Sequence, residues 1–314
     1  MIRFVYPEKE ADMPAKARDI IRQIEAFRDS EPVKELFSLL DTDCETIGRK
    51  YNGRRSVNGG VIETQELAPV DVLESKRERL YPLFRELGFI DINSPRKSEN
   101  SRVIVLGGAL GACLDRTECA ARCIDDITRS VDGLTCYRPI NPVERKYPGM
   151  SGADTEFGAM SEDFVKVFGL QDCDVRDDFT GNRNLNSISC VREYEKEASR
   201  VQYRIFAAPS EDPGARRADT GDSLVFYLKH NKWIDADESL LFITNNRYCN
   251  RQFLQLAYHL LLQGCPARMD IAGCFGDDRI IGVDEYDPFQ YLQDLIGIID
   301  WGGRFYALSD KLWK

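Results

Sequence analysis

A glycine-rich turn followed by an arginine is the feature of this chain best suited to bind an anion. Gly107, Gly108 and Gly111 follow a short apolar run and precede Arg116. Glycines at a strand-to-helix turn let a ligand approach the backbone, and free N–H groups at a helix start attract an anion. The turn lacks the lysine of a P-loop, and Leu106 stands where a dinucleotide fingerprint has its first glycine. Two interpretations stay open: an anion cradle, or glycines needed only for tight packing.

A second polar loop follows another apolar run and carries two arginines four residues apart. Thr244 and Asn245 begin it, and Tyr248 lies between Arg247 and Arg251. Two guanidinium groups on a loop and the first turn of a helix could hold a phosphate or carboxylate through paired hydrogen bonds. The alternative is that Arg251 pairs with a carboxylate for packing. We assign Thr244, Asn245, Tyr248 and Arg251 to the predicted ligand site.

A third cluster, between an apolar run and a helical segment, supplies carboxylates. Asp219 or Thr220 is suited to cap the N-terminus of that helix, and Asp222 is favourable in its first turn. If the cluster faces a ligand, Thr220 would orient its polar groups, and Asp219 and Asp222 would bind ribose hydroxyls or act as a general base. Glu211 is a further candidate base. The residues alone leave the capping and catalytic roles open.

Metal and thiol chemistry have weaker support in the sequence. His230 and His259 are the two histidines, and neither has a recognisable triad partner. Cys119 and Cys123, with Cys113 before them, lack the two-residue gaps that zinc ligands favour. We therefore predict no metal site. A redox function for the cysteines would require a thiol of low pKa, which the sequence does not display.

Alternating strand-like and helix-like segments predict the elements that position these loops. Apolar runs typical of strands lie at 102–108, 133–138, 201–208, 239–244 and 268–273, and helical patterns lie at 115–129, 161–168, 220–230, 250–263 and 286–299. This order predicts an α/β fold with a Rossmann-like parallel sheet flanked by helices. Ligands bind outside the carboxyl ends of such strands, where the three clusters lie. Asp277 and Asp278 follow the last strand as either a cation-binding pair or a solvated turn.

The N-terminal third has a different pattern. Apolar residues recur at helical spacing over 11–41 and 70–88, with Pro82 expected to kink or split the second helix. A polar, glycine-rich loop at 51–60 separates them. We predict that residues 1–95 form a helical N-terminal appendage.

The remaining residues, 96–314, are predicted to form the Rossmann-like domain. Within it, 141–200 is rich in Asp, Gly, Asn and Arg and is the least regular part of the pattern. We expect this stretch to be an irregular insertion, which either covers the site or forms a long surface excursion.

Composition excludes several classes of protein. The chain has 314 residues, of which 43% are hydrophobic and 30% charged, so a disordered or collagen-like chain is excluded. A net charge of −10 lacks the positive field that holds proteins on nucleic acid. We expect no nucleic-acid partner. The chain has no run of about 18 apolar residues and no apolar signal region, which predicts no membrane span and a cytoplasmic protein with mostly reduced cysteines.

Three motifs, taken in order, resemble those of the YdcF/SanA/ElyC-like family of Rossmann-type proteins. Its first motif is a strand ending in Leu-Gly-Gly and an arginine on the next helix, which residues 106–108 and Arg116 match. Its second motif, Ser-x-Asn-Thr-x-Glu-Asn, is similar to residues 217–223, where Thr220 is identical and Asp219 and Asp222 are conservative changes.

The third family motif, Thr-Ser-x-x-His-x-x-Arg, aligns with residues 244–251. The spacing and the final Arg251 are kept, whereas Tyr248 occupies the histidine position and removes a group that titrates near neutrality. The resemblance covers residues 102–275. It implies a Rossmann-type fold with a polar, arginine-bearing crevice for a nucleotide-like or phosphorylated ligand, and some relatives are linked to cell-envelope processes.

These observations predict that the chain binds a nucleotide-like or phosphorylated small molecule in a Rossmann-type crevice. Hydrolysis or group transfer at a phosphorylated centre stays open, so the chain is not assigned as an enzyme. The ligand would be a nucleotide, a sugar phosphate or a molecule like S-adenosylmethionine. The alternative is a non-catalytic ligand sensor or protein-interaction module whose N-terminal helices bind a partner protein.

Overall fold

Seven strands join into one sheet within the part of the chain that the structure describes. The structure is a computed structural model and describes residues 1–7, 11–53, 70–96, 99–146, 151–232, 234–274 and 286–312. The strands are β1 (Arg102–Leu106), β2 (Ser130–Thr135), β3 (Asp174–Thr180), β4 (Ser189–Glu195), β5 (Gln202–Ala207), β6 (Ser239–Asn245) and β7 (Arg268–Cys274). Their order is β3-β4-β5-β2-β1-β6-β7. Strand β4 runs antiparallel to both of its neighbours, β3 and β5, and the other four adjacent pairs are parallel. The predicted α/β fold with a mostly parallel, Rossmann-like sheet is confirmed.

Helices connect and flank these strands. Their bounds are α1 (Met13–Arg28), α2 (Glu31–Leu40), α3 (Ile47–Tyr51), α4 (Asp71–Glu74), α5 (Arg77–Glu86), α6 (Leu110–Arg122), α7 (Glu156–Phe168), α8 (Thr220–His230), α9 (Cys249–Leu262) and α10 (Pro288–Leu312). Among the described residues, no helix is both long enough and apolar enough to cross a membrane.

Two neighbouring residues of β2 show that helices cover both faces of the sheet. Asp132 accepts a hydrogen bond from the Tyr227 hydroxyl of α8 at 2.9 Å. At the next residue, Gly133, a Cβ would clash with Met160 of α7 and would lie 3.2 Å from Phe164. Because successive residues of a strand point to opposite faces, α7 and α8 lie on opposite sides. Gly133 is therefore needed where α7 approaches β2 closely.

The strand order creates a topological switch point between β1 and β6. The chain adds β2 and then β5 on one side of β1, and it later adds β6 and β7 on the other side. Connections at the carboxyl ends of β1 and β6 therefore leave in opposite directions, which opens a crevice between them in sheets of this kind. The first and second predicted loops begin at these two strand ends.

A buried ionic network lies inside the sheet. The Asp132 side chain accepts hydrogen bonds from Ser130 Oγ at 2.6 Å, Arg204 Nε at 2.8 Å and the Tyr227 hydroxyl. Asp132 is fully buried, and every partner is on a strand or a helix. The pKa of Tyr227 is raised well above its ordinary value by burial and by the Asp132 charge. We call this set of residues the Asp132 network.

The chain divides into two compact units. The α/β unit comprises residues 92–245 and 255–282, and the helical unit comprises residues 1–91, 246–254 and 283–314. The helical unit thus holds residues 1–91 of the predicted appendage (1–95) and also α10, which the sequence pattern had placed with residues 96–314. In the helical unit, Tyr306 of α10 donates to Glu25 of α1 at 3.1 Å. Several apolar side chains of α10, among them Leu292, Leu295 and Phe305, are buried.

Several predicted elements differ in extent from those in the structure. The stretch 141–200 is not irregular throughout, because it contains α7 and the antiparallel strands β3 and β4. The helix expected at 115–129 is α6, which begins and ends earlier, and the strand expected to reach residue 138 ends at Thr135. Pro82 lies within α5, and the break precedes that helix. Asp277, Asp278 and most of the loop at 51–60 lie outside the described residues.

Candidate functional site

The glycine turn lies at the carboxyl end of β1 and is packed against charged side chains of the same unit. The Gly107 N–H donates to the Leu134 carbonyl at 2.7 Å. A Cβ at Gly107 would clash with the Glu156 carboxylate, and one at Gly108 would lie 3.0 Å from the Arg116 guanidinium. These glycines therefore permit a close approach of charged groups to the backbone. In this structure those groups are the chain's own carboxylate and guanidinium.

Arg116 joins the ends of β1 and β6 at the switch point. Its Nε donates to Asn245 Oδ1 at 2.7 Å, and its Nη1 donates to the carbonyls of Leu106 at 2.8 Å and Gly107 at 2.5 Å. The side chain is almost completely buried. The structure thus brings together Gly107, Arg116 and Asn245, three of the residues assigned to the predicted ligand site. Arg116 is therefore a buried residue of the switch point and not a solvated residue on the surface of α6.

A carboxylate occupies the start of α6. The backbone N–H of Leu110 donates to Glu144 Oε2 at 2.9 Å, and both residues are buried. Ala109, the residue that precedes the helix, has no polar side chain for this purpose. The first N–H groups of a helix carry partial positive charge and need acceptors, so Glu144 supplies an anion where the sequence predicted one. Gly111, in the first turn of α6, is also buried.

Arg138 holds this carboxylate in place. Its Nη1 donates to Glu144 Oε1 at 2.6 Å, its Nη2 donates to the Gly108 carbonyl at 2.9 Å, and its Nε donates to Glu156 Oε2 at 2.9 Å. Thr135 Oγ1 donates to the other Glu156 oxygen at 2.8 Å. All of these side chains are buried. We call Arg138, Glu144 and Glu156, with their backbone partners, the Arg138 network.

Electrostatics favour a charged Arg138 in this buried position. Burial alone would lower the pKa of its guanidinium, but the nearby Glu156 and Glu144 carboxylates raise that pKa above its ordinary value. The Arg138 network contains two carboxylates and one guanidinium, so its formal charge is negative. Arg116, beside Gly108, adds a second positive charge to the same edge of the sheet.

The three charged residues of the Arg138 network were not among the site residues predicted from the sequence. Arg138 was expected within a strand that in fact ends at Thr135, and Glu144 and Glu156 fall in the stretch predicted to be irregular. One signal was available. Arg138 comes three residues after a buried parallel strand, which is the position that the architecture reserves for ligand contacts.

The predicted carboxylates gather around an arginine at the start of α8. Asp219 Oδ1 accepts the N–H groups of Gly221 at 2.7 Å and Asp222 at 3.1 Å, and Asp222 Oδ2 accepts that of Asp219 at 2.9 Å. This is a reciprocal capping box. Arg216 pairs with Asp222 and lies 3.8 Å from Asp219 and 3.9 Å from Glu211. The capping interpretation of Asp219 and Asp222 is confirmed.

The start of α8 lies at the carboxyl end of β2, next to β1 in the sheet. Ser223 Oγ donates to the Thr135 carbonyl at 3.4 Å. Thr220 is the first residue of the helix. At Gly221 a Cβ would clash with the His259 ring, so this half-buried histidine packs at the helix start. The sequence pattern placed His259 among apolar residues and missed this position.

Thr244 and Asn245 end β6 and have different environments. Both are buried, and the Thr244 carbonyl accepts a hydrogen bond from Cys274 Sγ at 3.1 Å. Asn245 receives the Arg116 hydrogen bond described above. Thr244 therefore links β6 to the end of β7, whereas Asn245 faces the switch point through its contact with Arg116.

Tyr248 and Arg251 belong to the helical unit, where they take part in ion-pair and ring contacts. Arg251 Nε donates to Asp294 Oδ1 of α10 at 2.7 Å, which is the packing contact named as the alternative. The guanidinium of Arg251 also lies 5.2 Å from the Tyr248 ring centroid. Arg247, fully buried nearby, donates to Gln290 at 2.7 Å and to the Tyr248 hydroxyl. A ligand contact of Tyr248 or Arg251 stays a prediction.

Metal ligands are not clustered in the part of the chain that the structure describes. No group of three or more histidine, cysteine, aspartate or glutamate side chains there is arranged to hold a metal ion. Comparison with known proteins finds no matching family model, no matching curated protein and no matching solved structure. The similarity to the YdcF/SanA/ElyC-like family therefore rests on the three sequence motifs, and the candidate site rests on its own geometry.

Proposed function

We propose that the α/β unit binds a phosphorylated or nucleotide-like small molecule at the carboxyl edge of its sheet, beside β1. One observation carries this proposal. The N-terminus of α6 and the Arg138 guanidinium already hold an anion between them, namely the Glu144 carboxylate. A phosphate offers the same oxygen acceptors with greater negative charge, and helix N-termini and arginines are the groups that bind it in many proteins.

In this proposal the ligand's anion takes the place of Glu144. Glu144 lies in a short 3-10 segment, Pro142–Lys146, rather than in a long helix or strand. Movement of that segment would release Leu110 N–H and two Arg138 nitrogens toward the ligand. Glu156 would keep Arg138 oriented through its own hydrogen bond. Arg116 and the glycine turn would set the shape and the positive charge of the crevice.

The arrangement supports binding rather than acid-base catalysis by the predicted carboxylates. Asp219 and Asp222 are engaged in the capping box, and Asp222 also pairs with Arg216. Glu211 is strongly exposed and lies 3.9 Å from Arg216. A general base must lie within hydrogen-bond reach of the proton that it removes, whereas Asp219 and Asp222 accept from the backbone at the start of α8. We therefore propose a ligand-binding or sensing function in which the ligand is released unchanged.

Calorimetric titration of the full chain with a panel of anions tests this proposal. The panel contains inorganic phosphate, ATP, NAD, a sugar phosphate and S-adenosylmethionine. Glu144→Gln removes the competing charge but keeps an oxygen near Leu110 N–H, so it should bind the preferred phosphorylated ligand about tenfold or more tightly than the wild type, by about 1.4 kcal/mol or more. Glu195→Gln, an exposed strand carboxylate of the same unit, is the matched control and should leave affinity unchanged.

Two outcomes would count against this site. If no member of the panel binds the folded wild type or Glu144→Gln, the phosphorylated-ligand proposal fails. If a ligand binds with equal affinity to wild type, Glu144→Gln and Glu195→Gln, it binds elsewhere. Recovery of the ligand unchanged after incubation would support the sensing function, whereas a product found by mass spectrometry would show turnover.

A further inference from the structure

The two edge strands of the sheet, β7 and β3, differ in how much of the chain covers them. At the β7 edge, the Gly273 N–H donates to the Asn93 carbonyl at 2.8 Å, and the Asp270 carboxylate accepts the Arg96 N–H at 2.6 Å. At the opposite edge, every residue of β3 is exposed. The outer N–H and C=O groups of an exposed edge strand pair readily with another strand. The β3 edge is therefore a candidate surface for strand addition.

Strand β3 is regular and lacks the usual features that block an edge. Its seven residues lie one to one opposite those of β4, so the ladder contains no bulge. The strand has no proline and no lysine, which many proteins place on exposed edges to prevent pairing. We propose that β3 pairs antiparallel with β3 of a second copy of this chain, across a two-fold axis at Asp177. The two seven-stranded sheets then form one continuous sheet.

The side chains of β3 divide between the two faces of the sheet. Phe179 lies on the face that α7 covers, because its ring is 6.0 Å from that of Tyr137, which stacks at 5.0 Å on Phe157 of α7. Val175 and Asp177 share this face, since side chains alternate along a strand. Val175 is 52% exposed and Phe179 is 55% exposed. The edge therefore presents two apolar side chains to water, one on each side of Asp177.

A two-fold axis at Asp177 brings complementary side chains together on both faces. On the α7 face, Val175 of one copy lies opposite Phe179 of the other, and pairs of aromatic and β-branched residues stabilise neighbouring strands. On the other face, Arg176 of one copy lies opposite Asp178 of the other. In its own chain Asp178 lies opposite the apolar Val191 of β4. The second copy thus gives Asp178 a cationic neighbour, and the symmetry forms each of these pairs twice.

Asp177 lies opposite its own counterpart at the axis, and a guanidinium of its own chain compensates each carboxylate. Arg192 Nε donates to Asp177 Oδ1 at 2.8 Å, and Arg192 Nη2 donates to Asp177 Oδ2 at 2.6 Å. The Arg192 guanidinium also lies 4.9 Å from the centroid of the Phe157 ring. The axis therefore carries two ion pairs whose formal charges cancel.

Neighbouring registers lack this complementarity. Because opposite residues must lie on the same face, the axis has to pass through a residue of β3. An axis at Arg176 would place two arginines opposite each other and Val175 opposite Asp177. An axis at Asp178 would place two Asp178 carboxylates opposite each other and Phe179 opposite Asp177. Like charges directly opposite each other destabilise strand pairing, so the axis at Asp177 is favoured.

Sedimentation velocity of the full chain tests the dimer. An interface based on one strand pair is small and dissociates on dilution, so the wild type should change from monomer to dimer between about 1 μM and about 300 μM. Asp178→Arg places two arginines opposite each other twice and should raise the dimer Kd about tenfold or more. Asp126→Arg, the same change at a fully exposed residue after α6, is the matched control and should leave the Kd unchanged.

A mixture of two variants tests the register. Arg176→Asp alone should dimerise as poorly as Asp178→Arg alone, because it places two carboxylates opposite each other. Mixed in equal amounts, the two variants regain opposite charges at both positions and should associate about tenfold more tightly than either one alone. A mixture that associates no better than its components would overturn the proposed pairing.

Hydrogen exchange of the wild type provides a test that does not depend on the folding of any variant. Amides of β3 that point away from β4 should exchange more slowly at high than at low protein concentration, whereas those of β7 should not change. A chain that stays monomeric would overturn the proposal and would leave this edge to a strand of another protein. A dimer without added protection of β3, or one that Asp178→Arg does not weaken, would also overturn it.

Discussion

The Asp132 network and the Arg138 network use the same kinds of group in different parts of the α/β unit. In the first, Asp132 accepts from Arg204 and Tyr227, and all of these residues lie on strands or a helix. In the second, Arg138 holds Glu144, and both follow β2 outside regular strands. Partners on regular elements cannot separate without loss of packing. A partner on a loop can be exchanged for a ligand, so the position of an ion pair decides what it can do.

The largest expected effect is on the Asp132 network. Asp132→Ala leaves the Arg204 guanidinium and the Tyr227 hydroxyl buried without their acceptor, and it should lower the free energy of unfolding by about 3–5 kcal/mol. Urea denaturation measures this change. Asp177→Ala is the matched control, because Asp177 pairs with Arg192 across β3 and β4 at a more exposed position. It should cost about 0–1 kcal/mol.

Added ligand should stabilise the wild type and Asp132→Ala equally. A phosphorylated ligand that binds at the Arg138 network should raise the unfolding midpoints of wild type and Asp132→Ala by a similar amount, since binding acts on the folded state of either chain. Equal stabilities of Asp132→Ala and Asp177→Ala in urea would show that the Asp132 network contributes no more than a surface pair, and the contrast between the two networks would be lost.

A buried carboxyl group without an arginine partner provides an intermediate case. Asp163 of α7 is buried, and its Oδ2 has no hydrogen-bond partner among the described residues. Burial raises its pKa from 3.8 to about 7; Lys166 opposes this shift, and Glu162, Asp115 and Glu118 add to it. Because the folded chain binds this proton more tightly than the unfolded chain, stability from this group falls as the pH rises from 3.8 to about 7.

Asp163→Asn removes that loss of stability. The variant should be more stable than the wild type at pH 8, by about 1–3 kcal/mol, because the charge that burial penalises is gone. Below pH 4 the two should differ little. Denaturant titrations at pH 3.5 and pH 8 give both values. Asp126→Asn, at an exposed ion pair with Arg200, is the control. A variant that is destabilised at pH 8 but not at pH 3.5 would instead show that Asp163 accepts a structural hydrogen bond in its charged form.

The smallest expected effect concerns the cap of α8. Asp219→Ala removes the acceptor for the Gly221 and Asp222 N–H groups and should cost about 1 kcal/mol, while Asp219→Asn should cost less because asparagine also caps helices well. Thermal denaturation measures both. Ligand affinity should be unchanged in either variant. A large loss of affinity with unchanged stability would instead place Asp219 in the ligand site.

The predictions that the structure confirms came from patterns of residues close together in the sequence. Segments rich in apolar residues identified each of the five parallel strands, because strands buried on both faces favour apolar residues. For β2 the predicted strand, 133–138, overlaps only residues 133–135, since the buried β2 also contains Ser130 and Asp132. The bounds predicted for α8 were correct, since Asp219 and Asp222 specify its start through contacts only three residues apart. Strand β3 gave no such signal. Every residue of that edge strand is exposed, so burial imposed no apolar alternation on its sequence.

The sequence by itself determined the alternation of parallel strands and helices in the α/β unit and the turn at the end of β1, because both depend on short-range patterns and on the buried character of whole segments. Only the tertiary structure decided which charged groups meet there. Glu144 reaches the start of α6, and Asn245 reaches Arg116, through the packing of elements that are distant in the chain. Such encounters depend on how elements pack together, and no local spacing of residues encodes them.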